Sequence, residues 1–199
     1  MAEEKCLFCE ILKGNIPSLK VFENEGCVAV LSIKPVSKGH IIIIPKQHHS
    51  FISNLPDDIA FHMIGAVKAL STILTQILQC SGINVMHNIG SVAGQKINHL
   101  SFELIPRYAG DKIKIDMPEG KTNEEELYEE QKLITSAIRD STMKLLEAIR
   151  DGKIQVSKEV KDQALKALET INKDKPKLKN EKNNSKIDLL KLEDELKKL

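Results

Sequence analysis

Two cysteines near the N-terminus and two distant histidines are the first residues whose types and spacing suggest chemistry. Cys6 and Cys9 stand close enough to offer two thiolate ligands on one turn of the chain. Such a pair alone is about as typical of redox sites, so a metal site needs two further ligands. His48 and His99, each beside or within an apolar run, are the candidates. The competing interpretation makes His48 a solvated surface residue and His99 a half-buried histidine of a sheet.

A row of alternating polar residues begins at His99. His99, Ser101 and Glu103 alternate with apolar residues. Because successive side chains of a strand point to opposite faces, these three are predicted to share one face. The residues between them are predicted to face the core: Leu100, Phe102 and Leu104.

The loop before this row is rich in glycine. Gly90, Gly94 and Gln95 offer backbone N–H groups of the kind that cradle phosphate in glycine-rich loops. A glycine-containing loop between strands is more often only a turn. Both interpretations stay open on this evidence.

Strands and one long helix are predicted to position these residues. Short β-branched runs separated by turn residues predict strands. Apolar residues at three- and four-residue spacing predict an amphipathic helix from Pro56 to about Cys80, with Asp57 as its N-cap. This order indicates the α+β class, with an antiparallel sheet of about five strands. The predicted strands centre on Val21–Phe22, Cys27–Leu31, His40–Pro45, Gly82–Met86 and Ile97–Ile105.

The composition changes after about Met117, where strand formers thin out and Glu, Lys and Leu dominate. Thr122 and Glu125 form a capping-box pattern that opens a long helix ending at Gly152, and Ser157 is placed to cap a second helix. We expect four parts: a domain over residues 1–110, a helical extension over 118–171, a flexible Lys- and Asn-rich linker over 172–185, and a short amphipathic helix over 186–199.

The last of these parts carries a stripe of leucines. Leu189, Leu192, Leu196 and Leu199 alternate at three and four residues, which is typical of a coiled-coil seam. A helix this short is marginal in water by itself. We therefore expect it to need a partner surface, and a protein partner through the C-terminal helices is one hypothesis.

The charge balance limits the classes of partner. The 199 residues include 29 Lys+Arg and 28 Asp+Glu, a net charge of +1, so the chain projects no strong field towards nucleic acid or an anionic membrane. No signal-peptide pattern opens the chain, and no run reaches the roughly 20 apolar residues that a membrane span needs. We expect a cytoplasmic protein with reduced thiols, in which Cys27 and Cys80 are core residues.

Three ordered segments within residues 1–110 resemble the histidine triad (HIT) family. One is similar to the family's N-terminus, one to its central strand, and one to the loop before its triad strand. These segments are Cys6-x-x-Cys9-Glu-Ile-Leu-x-Gly14-x-Ile-Pro-Ser18, Pro35-Val-Ser-Lys-Gly39-His40 through Pro45-Lys46-x-His48, and Asn88-x-Gly90 through Ala93-Gly94-Gln95.

The resemblance implies a small α+β fold, a homodimer, binding of purine nucleotides, and nucleotidyl transfer or hydrolysis through the middle histidine of the triad. Ser101 stands at that middle position and Glu103 at the third. A serine hydroxyl needs an adjacent base to attack phosphorus, whereas a neutral imidazole does not. An ionised Glu103 would also repel a phosphate, by on the order of 4 kcal/mol for unit charges about 4 Å apart at an effective dielectric of about 20.

The resemblance also implies metal and binding roles. Zinc-containing members have their ligands at four positions that this chain retains, which implies a closed, structural zinc site. In the implied nucleotide pocket, a position that is commonly acidic and bonds the ribose is occupied by Ser32. The residues that the resemblance assigns to zinc are Cys6, Cys9, His48 and His99, and those of the pocket are Ser32, Asn88, Gly94 and Gln95.

Three functions are compatible with these residues. The first is a non-catalytic, zinc-containing protein whose purine-nucleotide-type pocket binds or scaffolds. The second is an active nucleotide phosphoramidate or dinucleotide hydrolase with altered chemistry, in which His40 acts as a base for Ser101 or His87 supplies a replacement imidazole. The third is an adaptor that acts through its C-terminal helices. The loss of the nucleophile together with the retention of the metal ligands favours the first.

Overall fold

The N-terminal part of the protein is built on one antiparallel sheet. The computed structural model describes residues 6–115 and 120–173, and the chain divides into two compact units, Met1–Asp116 and Met117–Leu199. Within the described residues, five strands pair in the order β1-β2-β3-β5-β4. This confirms the predicted α+β class with an antiparallel sheet. The strands are β1 Lys20–Glu23, β2 Cys27–Leu31, β3 Ile41–Pro45, β4 Gly82–Met86 and β5 Phe102–Arg107.

Helices α1, Leu7–Leu12, and α2, Asp57–Leu78, cover opposite faces of this sheet. The α2 side holds the larger core, in which Leu100, Phe102 and Leu104 are buried as predicted. On the other side, Phe8 of α1 packs on side chains of β2 and β3. The sequence did not predict α1, because six residues are too few to show a helical period.

The start of α2 differs from the predicted start. Asp57 is the first helical residue, and Pro56 takes the N-cap position. Asp57 and Asp58 thus lie in the first turn, where their charges favour the positive end of the helix dipole. Among the described helices, α2 alone has the length and apolar composition of a membrane span, a test that the core helix of a soluble protein also passes.

The last strand begins later than the sequence predicts. Residues before Phe102 are irregular, and Leu100 N–H donates to the carbonyl oxygen of His49 at 2.6 Å instead of joining the sheet. The strand also continues through Pro106, which the sequence places at its end. The register of β3 with β5 ends at Leu104, so only the β4 side is paired at Pro106. A proline is tolerated at such a half-paired position.

The second unit is a helical hairpin of α3, Glu124–Arg150, and α4, Lys158–Lys173. Asn123, and not Thr122, caps α3, since its side chain accepts a hydrogen bond from Glu126 N–H at 3.0 Å. Ser157 caps α4 as predicted, accepting from Val160 N–H at 3.4 Å. Residues 172–173 belong to α4 and not to the predicted linker. The rest of that linker and the predicted helix over 186–199 lie outside the described residues.

Candidate functional site

Two cysteines and two histidines converge beside α1. Cys6 precedes α1, Cys9 lies within it, His48 follows β3, and His99 precedes β5. Cys6 Sγ lies 3.3 Å from His99 Nδ1, and Cys9 Sγ lies 3.3 Å from His48 Nδ1. The four potential ligand atoms all lie within 4.8 Å of one another. The structure therefore brings together the four residues that the sequence analysis assigned to a metal.

The surroundings of His99 fix which of its nitrogens faces the cysteines. Its side chain is buried, with 1% of its surface exposed, and Nε2 lies 3.2 Å from the carbonyl oxygen of Pro45. A carbonyl only accepts, so Nε2 carries the proton and the Nδ1 lone pair points at the thiols. This is how a metal-binding histidine is usually oriented by its second partner. The role of Pro45 could not be predicted from the sequence, because any backbone carbonyl can accept this hydrogen bond.

The protonation of the cluster agrees with a cation site. Burial lowers the pKa of His99 to about 4, with smaller contributions from His48 and His49, which favours the neutral imidazole that a metal binds. Burial, followed by the neighbouring Cys6, raises the pKa of Cys9. Without a cation this thiol is therefore favoured in its protonated form, and a bound metal would displace the proton. Two sulfur and two nitrogen donors are a set typical of structural zinc.

The polar row continues at Glu103, whose nearest ionisable partner is His40. Glu103 is paired with Ile42 of β3 and Met86 of β4 in the sheet register. His40 Nε2 lies 3.1 Å from Glu103 Oε2, and His40 Nδ1 accepts a hydrogen bond from Val36 N–H at 3.2 Å. The proton of the imidazole is therefore on Nε2, facing the carboxylate. His40 lowers the pKa of Glu103, while burial acts in the opposite direction.

This arrangement limits what His40 can do for Ser101. The basic lone pair of the imidazole is occupied by Val36 N–H, and the opposite nitrogen faces Glu103. A general base must direct a free lone pair at the proton that it abstracts. Glu103 also places a carboxylate beside the imidazole, and the pKa of that carboxyl is lowered. The geometry therefore argues against His40 as a base for Ser101.

His87 lies on the other side of the sheet from Glu103. Its ring packs on that of Phe102, with centroids 4.9 Å apart, and Phe102 belongs to the core beneath α2. Its Nδ1 lies 2.9 Å from the carbonyl oxygen of Ser101, to which it donates. The geometry thus argues against His87 as a replacement imidazole.

The glycine-rich loop is held in place by Gln95. Its Oε1 accepts from Gly90 N–H at 2.7 Å, and its Nε2 donates to the carbonyl oxygen of Ser50 at 3.0 Å. Gly94 has a φ of +92°, and a Cβ there would lie 3.3 Å from Asn88 Nδ2. Asn88, Gly94 and Gln95 are therefore neighbours in one loop. Both polar groups of Gln95 are engaged, one with Gly90 of the loop and one with the backbone of Ser50, a structural role that the sequence analysis missed.

Ser32 lies in the turn that follows β2. Its N–H donates to the carbonyl oxygen of His40 at 2.9 Å, and its Oγ accepts from Lys34 N–H at 3.3 Å. The backbone contact places Ser32 directly beside the segment that carries His40. Its hydroxyl stabilises the turn in the structure, a local use that is common for serine.

An antiparallel sheet that carries the row His99-Ser101-Glu103, together with a Cys/His cluster and a glycine-rich loop, is the arrangement of an α+β protein of the histidine triad type. The HIT domain model matches residues 13–110. An uncharacterised HIT-like protein of Methanocaldococcus jannaschii is 42% identical over 106 residues, which cover 53% of this chain and 81% of that protein. The chain belongs to the histidine triad family.

Two further comparisons concern activity and metal. The adenosine 5'-monophosphoramidase of Candida albicans is 38% identical over 106 residues, covering 51% of this chain and 70% of that enzyme. The crystal structure of a zinc-bound histidine triad protein from Mycobacterium smegmatis has a TM-score of 0.53 and 27% identity, covering 58% of this chain and 84% of that one. The Cys/His cluster described above could hold a metal ion.

Proposed function

We propose that this protein is a non-catalytic member of the histidine triad family, in which a zinc-stapled fold carries a purine-nucleotide-type pocket used for binding or scaffolding. The proposal rests on a difference between His99 and Ser101, which are neighbours in the polar row. His99 is buried against Cys6 and Cys9, whereas Ser101 stands where the family has its nucleophile. The row thus retains the potential metal ligand His99 and lacks the nucleophilic histidine at position 101.

The charge near Ser101 supports the loss of nucleotidyl chemistry. A serine needs a base and an orienting group, and the lone pair of His40 is committed to Val36 N–H. Glu103 adds a negative charge where a phosphate would approach. Both effects oppose attack on an α-phosphate.

The alternative is an active nucleotide hydrolase or transferase. Two observations favour it: the relative of Candida albicans is named an adenosine 5'-monophosphoramidase, and the loop residues Asn88, Gly94 and Gln95 are present and close together. An assay of an adenosine 5'-phosphoramidate separates the two functions. We expect the unchanged protein to release no amine above the uncatalysed rate, and Ser101→His with Glu103→His to gain measurable release. Release by the unchanged protein that Ser101→Ala abolishes would establish the alternative.

The nucleotide pocket is tested by calorimetry with adenosine and guanosine monophosphates. We propose that Ser32, Asn88, Gly94 and Gln95 contribute to binding, and that Glu103 weakens it. Since the side chain of Glu103 is 39% exposed, the repulsion is screened, and Glu103→Gln should raise the affinity by about tenfold. No heat from either protein at millimolar nucleotide would remove the pocket from the proposal.

We also propose that Cys6, Cys9, His48 and His99 hold one structural zinc ion. With all four positions filled by protein ligands, the ion would stabilise the fold and leave no open position for a substrate. Metal analysis of the purified protein should give one zinc per chain, and Cys9→Ser should lose most of it. Cys80→Ala is the matched control, since Cys80 is buried outside the cluster. Full zinc in Cys9→Ser would contradict the assignment.

The proposed setting is a cytoplasmic homodimer. Cysteine ligands must stay reduced, which agrees with a reducing compartment. A dimer is supported by the edge strand β4 and by exposed apolar residues of α2, which include Ile73 and Ile77.

A further inference from the structure

The first half of α3 has an uncovered apolar face. Downstream, α4 covers the helix: Ile149, Ala164 and Leu168 are each less than 8% exposed. The contact of α4 with α3 reaches Arg139, whose Nη2 donates to the carbonyl oxygen of Ile171 at 3.0 Å. Upstream of Arg139, every residue from 129 to 138 is exposed.

Three large apolar side chains lie in this exposed stretch. Leu133 is 71% exposed, Ile134 57% and Ile138 60%. We call these three residues the α3 face. Ile138 also lines an open, mainly apolar groove of about 360 Å³ between α3 and the end of α4. Exposed apolar residues this close together usually mark a surface that something covers.

The chain leaves α4 at the mouth of this groove. Thr170 and Ile171 line it, and the described part of α4 ends at Lys173. The remaining sequence, residues 174–199, ends with the leucine stripe of Leu189, Leu192, Leu196 and Leu199. A helix over 186–199 would be about 21 Å long, which matches the length of α3 from residue 124 to 138 at about 1.5 Å per residue.

The path of the chain favours one direction of packing. The charges are mixed: the last two lysines fit this direction, whereas Glu193, Asp194 and Glu195 would lie near Glu129 and Glu130. The first turns of α3 carry five glutamates, and the C-terminal end of the chain carries two adjacent lysines. An antiparallel arrangement places these lysines beside the glutamates, and it continues the direction in which α4 already runs. The residues concerned are Glu124, Glu125, Glu126, Glu129 and Glu130 on α3, and Lys197 and Lys198 at the end of the chain.

We propose that residues 186–199 pack as a helix against the α3 face, antiparallel to α3, and complete a three-helix unit. The leucine stripe would cover Leu133, Ile134 and Ile138. The connection over residues 174–185 is short enough to hold the segment at an effective concentration of about millimolar, which favours this occupant over a second molecule. Packing would stabilise a helix that is marginal alone, and it would bury the exposed apolar side chains of the α3 face.

Amide hydrogen exchange on the full-length chain tests the proposal. Introducing Leu192→Asp and Leu196→Asp into the stripe should speed exchange of residues 129–138 at least tenfold. Leu190→Asp is the matched control, because it makes the same change at a leucine outside the stripe, and exchange should stay within twofold of the unchanged protein. Equal exchange in all three proteins would overturn the proposal.

Hydrogen exchange at two protein concentrations shows whether residues 186–199 of the same chain or a second molecule covers the α3 face. Protection of residues 129–138 should be the same at 1 and at 100 μM protein, and the stripe variant should lose it at both, with the concentrations chosen to span about the usual range of weak association. Protection that grows with concentration would assign the α3 face to a second copy and overturn the proposal.

A zero-length carbodiimide cross-link tests the direction of packing. The antiparallel arrangement should link Lys197 or Lys198 to the glutamates in the first two turns of α3, within one chain. Links from Lys186 to those glutamates would instead show parallel packing and overturn the proposed direction.

Discussion

At the scale of single residues, the contact between His40 and Glu103 determines the charge of the altered row. His40 is only 3% exposed and presents its Nε2 proton to the carboxylate. An imidazole at the position of Glu103 would face His40 as a second neutral ring. The carboxylate adds a negative charge instead, and the neighbouring imidazole lowers its pKa. Glu103, at the third position of the triad, therefore contacts His40 and also affects phosphate binding.

A pH-dependent contribution to stability follows from this contact. The pKa of Glu103 is lower in the folded protein than its usual value, so its stabilisation is present above about pH 4.5 and is lost as the pH falls through the folded value. Glu103→Gln should lower the free energy of unfolding at pH 7 by at most about 1 kcal/mol, because the side chain is 39% exposed.

Urea unfolding from about pH 3 to about pH 7, a range that includes the usual carboxyl pKa of about 4.3, measures this effect. The difference between the unchanged protein and Glu103→Gln should shrink as the pH falls. Glu169→Gln, at an exposed residue of α4, should follow the unchanged protein throughout. A difference that widens towards acid pH would contradict the assignment.

The convergence of the four Cys/His residues was predictable, but the partner of Glu103 was not. Cys6, Cys9, His48 and His99 have donor types that the sequence displays directly. The pairing of Glu103 with His40 depends on the register that sets Ile42 opposite Glu103. A shift of one residue would have turned the carboxylate to the opposite face.

At the scale of elements, Gly39 joins the turn before β3 to the end of α2. Its φ is +83°, and a Cβ there would lie 2.3 Å from Leu78 Cδ1 and 3.4 Å from Pro106 Cγ. Both the backbone and the packing therefore require glycine at the position where β3, β5 and α2 meet.

Gly39→Ala should destabilise the protein by about 2–4 kcal/mol, combining a left-handed backbone penalty with a steric clash in the core. Gly65→Ala is the control within α2, since a Cβ at Gly65 meets nothing within 4 Å. That change should stabilise by about 0.5–1 kcal/mol through the better helix propensity of alanine. Thermal unfolding of both variants checks the prediction, and equal midpoints would contradict it.

Most element bounds followed from the sequence, and the exceptions have physical causes. β2 and β4 match their predicted spans because β-branched runs end at turn residues. The predicted strand over Ile97–Ile105 began too early, because Leu100 N–H bonds to His49 and not to a neighbouring strand. Asn123 displaced Thr122 as the cap of α3, since residues adjacent in sequence compete for the same N–H groups.

At the scale of the whole molecule, the edge of the sheet formed by β4 is the feature relevant to dimer formation. β4 is an outer strand, and its outer backbone groups have no partner strand among the described residues. Val85 of β4 is 48% exposed and Ile77 of α2 is 67% exposed. Edges of this kind pair with another chain unless charge or a covering element prevents it. This supports the proposed homodimer.

Val85→Lys should weaken that dimer by at least tenfold in Kd, because a lysine on an edge strand opposes pairing. Val92→Lys is the matched control, since Val92 is fully exposed in the loop before Gly94 and should leave the Kd unchanged. Sedimentation velocity across a concentration series measures both constants. A monomeric unchanged protein, or equal weakening by both changes, would contradict a β4 interface.

The division into a sheet domain and a helical part was visible in the change of composition near Met117, and the two compact units divide at that residue. The sequence did not show which half of α3 packs against α4, because the apolar residues of both helices repeat at the same spacing whether or not a neighbour is present. Only the exposed fractions of Leu133, Ile134 and Ile138 distinguish the covered half of the helix from the uncovered half.

The Cys/His cluster joins residues that are 93 positions apart, from Cys6 to His99. All of residues 6–99 must therefore be synthesised before this cluster can form, whereas the packing of Phe8 on β2 and β3 needs only the first half of that stretch. Until His99 emerges, Cys6 and Cys9 lack the partner that completes their cluster, and a chain stalled before that point carries two accessible thiols. A chain truncated before His99 would therefore leave Cys6 and Cys9 without this buried partner and more open to oxidation.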